Sequence, residues 1–148
     1  MEEMQNFALL KPGAELAPLT VAVTPELNQQ FLYAMEDFHP RYIEEGKDRP
    51  LAHPGLLLLL SFPSKSPSFY LPTGWASIHS ADEVTFLYPA RVGSQLLIRW
   101  KIVRVWEKRG RQYCETETWI VDDEGHDILS RKVSLTYTMQ TEGERDNV

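Results

Sequence analysis

A run of five consecutive leucines, at residues 56–60, constrains the fold of this chain more than any other feature of its sequence. Leucine is a strong helix former without a β-branch, and Pro54 suits the first turn of a helix, so the run predicts a helix rather than a strand. Pro63 and Pro67 limit this helix to about two or three turns. Because a helix that is apolar on every face must be buried, we expect a short central helix with Leu58 deep in the core.

A second helix is predicted before the leucines. Thr24 is a good N-cap and Pro25 a good first residue, and Pro40 ends the helix near Phe38 or His39. Its predicted apolar face consists of Leu27, Phe31, Ala34, Met35 and Phe38.

Hydrophobic alternation with period two begins near Ser77 and predicts strands. Leu96, Ile98, Trp100 and Ile102 share one face of a long strand, and Tyr113, Trp119 and Val121 continue the apolar pattern on the next. Turns at residues 107–111 and 122–125 join these strands as hairpins, and residues 19–23 form a short first strand. Helices followed by hairpins predict an α+β fold, an antiparallel sheet wrapped around the buried helix. We expect one domain over residues 1–148, with an irregular lead-in at 1–18 and a frayed tail at 140–148.

Charge and cysteine content exclude several classes of function. The net charge of −6 disfavours nucleic acid, whose binding depends on neutralising phosphates. The single cysteine, Cys114, excludes an internal disulfide and predicts a packed thiol. No apolar run is long enough to span a membrane and the acidic N-terminus is unlike a signal peptide, so we expect a cytoplasmic protein. No histidine pair has metal-ligand spacing, and no phosphate loop occurs, so neither a metal nor a cofactor is predicted.

Three stretches carry a resemblance to a known family. Residues 37–42 (Asp-Phe-His-Pro-Arg-Tyr) are similar to an Asp-x-Asn-Pro-x-His catalytic motif, and residues 52–57 (Ala-His-Pro-Gly-Leu-Leu) resemble the start of a central helix. Residues 78–94 resemble the segment that enters the long strands, where the family reads Phe-x-x-Pro-Val-x-x-Gly-Asp. Over residues 20–139 the chain thus resembles the MaoC-like (R)-specific enoyl-thioester hydratases and dehydratases, which have the hotdog fold.

The resemblance implies roles for four residues, and the position of His53 at the start of the helix indicates a role for a fifth. Asp37 matches the catalytic aspartate, His39 falls at the asparagine position and Tyr42 at the histidine position. Gly55 lies near the backbone amide that would stabilise the thioester oxygen, and His53 caps the helix or faces the pocket as a substrate-binding residue. Either Asp37 and His39 form a shifted dyad with Tyr42 as proton donor, or the chain is a non-catalytic partner of an active subunit.

The resemblance also implies a function and partners. The substrate would be an acyl thioester of CoA or acyl carrier protein in fatty acid metabolism, and the reaction that of a hydro-lyase, an enoyl hydratase or 3-hydroxyacyl dehydratase. The chain would form a homodimer, or a hetero-oligomer with another hotdog chain. Thioester hydrolysis is less favoured, because residues 56–60 offer no carboxylate on the central helix.

Overall fold

The computed structural model describes residues 11–43 and 48–139 as helices around one antiparallel sheet. The strands are β1 (Leu19–Ala22), β2 (Trp75–Phe86), β3 (Gln95–Lys108), β4 (Arg111–Asp122) and β5 (Asp127–Met139); the α-helices are α1 (Pro25–Met35) and α2 (Pro54–Leu60); single 3-10 turns lie at Pro40–Tyr42 and Pro63–Lys65. The strand order is β1-β3-β4-β5-β2, so β1 and β2 form the two edges. Both predicted hairpins, β3–β4 and β4–β5, are present.

The core lies between α2 and the concave face of the curled sheet. Leu56 and Leu57 are buried in one cluster with the predicted face of β3, in which Ile98 and Trp100 are almost fully excluded from solvent. The indole Nε1 of Trp100 donates a hydrogen bond of 2.9 Å to the carbonyl of Ser61, at the C-terminal end of α2. The α+β fold, with an antiparallel sheet around an apolar helix, is therefore confirmed.

One side of α2 faces away from the sheet, contrary to the expectation of burial all round. Leu58 is only half-buried, and the side chain of Leu59 is 46% exposed. A sheet packed against one side of a two-turn helix covers only the residues that project toward it, here Leu56, Leu57 and Leu60. The prediction that Leu58 lies deep in the core is wrong for this chain by itself.

The first helix, α1, ends at Met35, three residues before the earlier of its two predicted ends. Glu36 adopts the left-handed conformation (φ 52°), and its N–H donates to carbonyls in the last turn of the helix. This cap turns the chain out of the helix before Asp37. Phe38, predicted on the apolar helix face, lies outside the helix and is 52% exposed, while Met35 is 54% exposed.

The buried face of β4 is not the face that carries its large apolar residues Tyr113, Trp119 and Val121. Cys114, Thr116, Thr118 and Ile120 are buried, whereas Trp119 projects outward. Because alternate residues face opposite sides, large outward side chains can dominate the apolar pattern of a strand. Burial raises the pKa of the Cys114 thiol to about 11, which agrees with the prediction of a packed thiol.

Arg131 on β5 fixes the C-terminal end of α2 to the sheet. Its side chain is 5% exposed and makes a bidentate ion pair with Asp82 on β2, at 3.0 Å from Nε and 2.6 Å from Nη2. Its Nη1 donates to the carbonyl of Leu58 at 2.7 Å and to Oγ of Ser61 at 2.8 Å. A buried cation thus meets the carbonyl-rich end of the helix, where a positive charge is stabilising.

The described part of the predicted lead-in adds little to this architecture. Residues 11–18 are irregular apart from a single bridge between Glu15 and Lys101. Residues 1–10 of the predicted lead-in and the predicted tail at 140–148 lie outside the described residues. The assignment of residues 1–148 to one domain stays a prediction. None of the helices in the described part of the chain has the length and hydropathy needed to cross a lipid bilayer.

Candidate active site

His53 is the N-cap of α2 and the direct partner of Asp37. Its Nδ1 accepts a hydrogen bond of 2.9 Å from the N–H of Gly55, so the ring proton that remains lies on Nε2. Nε2 lies 2.9 Å from Oδ2 of Asp37 and is therefore the donor to that carboxylate. The imidazole is 14% exposed and the carboxylate 40% exposed, so the pair sits at the surface with the acid turned toward solvent.

Two aromatic rings hold the His53 imidazole in place. The Tyr42 ring lies 4.9 Å from it, centroid to centroid, and the Phe31 ring 5.3 Å from it. Phe31 is also the reason for a glycine at position 55, since a Cβ there would lie 2.9 Å from the Phe31 ring. The ring that donates to Asp37 is thus fixed by its cap and by its neighbours.

Asn28 joins the three segments that build the site, although the sequence analysis did not single it out. It is 2% exposed, and its Oδ1 accepts a hydrogen bond of 3.1 Å from the backbone N–H of His53. Its Nδ2 donates to the carbonyls of Tyr42 and Leu51 at 3.2 and 3.4 Å. An amide on the inward side of an amphipathic helix was the available signal, because buried polar groups need partners.

His39 contacts Asp37 through its backbone rather than its ring. Its N–H donates to Oδ1 of Asp37 at 3.2 Å, while its Nδ1 accepts from the backbone N–H and from Nε of Arg41, at 3.2 and 3.0 Å. Because Nδ1 of His39 accepts, the ring proton lies on Nε2. Nε2 lies 3.3 Å from Nη2 of Arg41, and since both atoms are then donors, this contact is not a hydrogen bond. The structure therefore brings Asp37 and His53 together and turns the His39 ring toward Arg41.

Hydrogen bonds keep Asp37 ionised. The bond from the His53 side chain, and then the bond from the His39 N–H, lower the pKa of this carboxyl below its usual range. At neutral pH the site thus presents an anionic carboxylate held by the Nε2–H of His53.

Two apolar cavities meet at Tyr42. The first, of about 390 Å³, is bounded by Arg41, Tyr42, Pro54, Leu57 and Tyr88, among others. The second, of about 340 Å³, lies on the α1 side and includes Asn28, Leu32 and Phe38. Apolar pockets beside a few fixed polar groups are the usual form of a small-molecule site.

A separate cluster of two acids and a histidine has the side-chain types of a metal site, but its contacts are those of a hairpin turn. Ligand atoms of Asp122, Glu124 and His126 lie within 4.8 Å of one another. Oδ1 of Asp122 accepts the N–H groups of Glu124 and His126, and Oδ2 lies 2.9 Å from Nδ1 of His126. These contacts close the β4–β5 hairpin, so the cluster does not point to a cofactor.

Comparisons with solved structures identify the architecture. A monoamine oxidase regulatory protein from Archaeoglobus matches with a TM-score of 0.72 and 17% identity, covering 88% of this chain and 92% of that one. The (R)-hydratase PhaJ1 from Pseudomonas aeruginosa matches with a TM-score of 0.69 and 16% identity, covering 92% of this chain and 91% of that one. The 3R-hydroxyacyl-ACP dehydratase complex HadBC from Mycobacterium tuberculosis matches with a TM-score of 0.65 and 20% identity, covering 84% of this chain and 96% of that one.

These matches show that the chain has the hotdog fold, and the predicted resemblance is confirmed at that level. No protein-family model matches the sequence, and no curated protein matches it. Thioesterases are also among the matching structures, so the architecture is shared by more than one chemistry. A choice between these reactions has to be argued from the side chains of the site.

Proposed function

We propose that this chain binds an acyl thioester and adds water to its 2,3-double bond, or removes water in the reverse direction. The observation that carries the proposal is the 2.9 Å hydrogen bond from His53 to Asp37 at the start of the buried helix. It holds an ionised carboxylate, partly open to solvent, on His53, whose neighbours Tyr42 and Pro54 line an apolar cavity.

In this proposal Asp37 is the general base. As its carboxylate takes a proton from water, the water oxygen bonds to C3 of the enoyl thioester and the double-bond electrons move toward C2 and the thioester oxygen. The carboxylic acid then returns a proton to C2, which gives the 3-hydroxyacyl thioester and restores the carboxylate. His53 orients the acid through Nε2–H and takes the place beside Asp37 that the sequence analysis gave to His39.

Tyr42 and His39 have secondary positions in this proposal. The described contacts of Tyr42 include the rings of both histidines, and Tyr42 lines both cavities. A role for Tyr42 as proton donor stays a prediction. His39 contributes its backbone N–H to Asp37 and its ring to the orientation of Arg41.

A specific observation favours a second function, that of a non-catalytic partner subunit. The N–H of Gly55, which the family resemblance offers as donor to the thioester oxygen, is already bonded to His53. The two-chain HadBC complex has the same fold, which supports a pairing of this kind. The pairing itself would use β2, an edge strand of the sheet with Ile78 and Phe86 exposed, and a homodimer would use the same edge.

The test is the hydration of crotonyl-CoA by the purified chain. The reaction is measured as the loss of enoyl-thioester absorbance. We expect Asp37→Asn to reduce kcat by about 10²–10⁴-fold, as for removal of a general base, with Asp127→Asn as the control acid on the exposed start of β5. Activity that is indifferent to Asp37→Asn would contradict the catalytic proposal. An inert chain that becomes active when mixed with a hotdog chain carrying an intact Asp-x-Asn-Pro-x-His motif, regardless of Asp37→Asn, would establish the partner role.

A further inference from the structure

The first turn of α2 has no free amide for the thioester oxygen. Pro54 has no N–H, and the N–H of Gly55 is bonded to Nδ1 of His53. The N–H of Leu56 donates to the carbonyl of His53 at 3.0 Å. Addition of water to an enoyl thioester develops negative charge on that oxygen, and a reaction at Asp37 therefore needs a donor from another part of the site.

Arg41 has the chemistry and the position to be that donor. Its backbone is fixed in the 3-10 turn, where its carbonyl accepts the N–H of Leu51 at 2.9 Å. Its Nε is held by the His39 ring, and its guanidinium carbon lies 5.9 Å from the centroid of the Tyr42 ring. Within residues 11–43 and 48–139 the guanidinium forms no ion pair with a carboxylate.

Tyr42 links the cavity that Arg41 lines to the acid–base pair of His53 and Asp37. Arg41, Tyr42 and Pro54 all line the 390 Å³ cavity, and the Tyr42 ring packs on His53, the partner of Asp37. The backbone N–H of His39 binds Asp37 while the ring of the same residue binds Arg41. One short segment thus sets the distance between an anionic base and a cationic donor.

We propose that Arg41 is a catalytic residue that holds the thioester carbonyl oxygen and stabilises the enolate; this rests on the proposed function above. As the water oxygen bonds to C3, the double-bond electrons form a C1–C2 double bond and the carbonyl electrons move onto the oxygen. Two guanidinium N–H groups hydrogen-bond that oxyanion until C2 takes the proton from Asp37 and the carbonyl re-forms. Charged donors form shorter and stronger hydrogen bonds than a backbone amide, so Arg41 replaces the capped Gly55 N–H.

Polarisation of a bound chromophore tests this assignment separately from turnover. A dienoyl thioester such as 2,4-hexadienoyl-CoA absorbs at longer wavelength when a cation draws electrons toward its carbonyl oxygen. We expect a red shift on binding to the wild-type chain and to Arg99→Met, a control on the outward face of β3. Arg41→Met should bind the thioester within about threefold of wild type without the shift, and Arg41→Lys should restore part of it.

Kinetics supply the second measurement. With crotonyl-CoA we expect Arg41→Met to lower kcat by about 10²–10³-fold while KM changes little, because the interaction strengthens in the transition state. If 2,4-hexadienoyl-CoA binds to the wild-type chain without a red shift of its absorbance, or if the red shift survives in Arg41→Met, the role of Arg41 is overturned. The role of Asp37 as general base is not affected by either result. Failure of the wild-type chain to bind any acyl-CoA would overturn the proposed function, and the role of Arg41 with it.

Discussion

Removal of the buried Arg131 guanidinium gives the sharpest test of how α2 is held against the sheet. The variant Arg131→Met keeps most of the aliphatic volume but deletes four hydrogen bonds, two to Asp82 and two to the end of α2. We expect it to lower the free energy of unfolding by about 3 kcal/mol, measured by urea denaturation at neutral pH and fixed protein concentration.

This magnitude follows from what the substitution leaves behind. A buried acceptor without its donor costs about 1–3 kcal/mol, and breaking a buried ion pair costs about 3–5 kcal/mol. The Asp82 side chain is 27% exposed, so water can reach it and the cost falls toward the lower end of the ion-pair range. Ser61 is fully buried, but its hydroxyl still reaches the Leu58 carbonyl at 3.3 Å and limits the loss there.

Two further variants make the test specific to the pair. Arg99→Met, on the outward face of β3, should change stability by less than about 0.5 kcal/mol. Adding Asp82→Asn to Arg131→Met should recover part of the loss, because it removes a carboxylate that has lost its two Arg131 hydrogen bonds and keeps, among the described residues, only the His79 contact at 3.1 Å. A loss below about 1 kcal/mol in Arg131→Met would refute the reasoning, since the network would then contribute no more than an exposed ion pair.

Three other outcomes follow from the site and the core. Gly55→Ala should destabilise the chain by about 1–3 kcal/mol in the same denaturation assay, because the new Cβ meets the Phe31 ring at 2.9 Å; an unchanged midpoint would mean that the ring moves aside freely. Cys114 should react with a thiol reagent at pH 8 only at the rate of unfolding, since its pKa is about 11 and its side chain is buried; rapid stoichiometric labelling of the folded chain would contradict this. The hydrogen bond from His53 lowers the pKa of Asp37 in the folded chain, so the ionised carboxylate stabilises the fold at pH values above its unfolded-state pKa of about 3.9. This contribution to stability is lost as the pH falls through the lowered, folded-state pKa. The stability difference between wild type and Asp37→Asn, measured at pH 7 and pH 3, should therefore shrink at pH 3, and a difference that grows on acidification would show that the sign is wrong.

Local chemistry in the sequence determined the elements around the core. The leucine run with Pro54 specified a short helix, and the alternation of Leu96, Ile98, Trp100 and Ile102 specified the inward face of β3. These features depend on backbone preference and on side-chain periodicity within one segment, and neighbouring residues already contain that information. The resemblance in the three stretches at residues 37–42, 52–57 and 78–94 was enough to indicate the hotdog fold.

The tertiary structure alone decided which of those residues meet. Asp37 pairs with the ring of His53, 16 residues away, rather than with the ring of His39, two residues away, because the left-handed Glu36 ends α1 early and turns the acid toward α2. Arg131 reaches Asp82 across 49 residues of sequence. Contacts of this kind depend on how segments dock, and spacing along the chain does not specify the distance between two segments. The bond from the Gly55 amide to His53 is local by contrast, since it joins residues two apart, and the sequence already offered His53 as a cap. Only the tertiary structure placed Arg41 and Pro54 around one cavity, which makes Arg41 the candidate donor to the thioester oxygen.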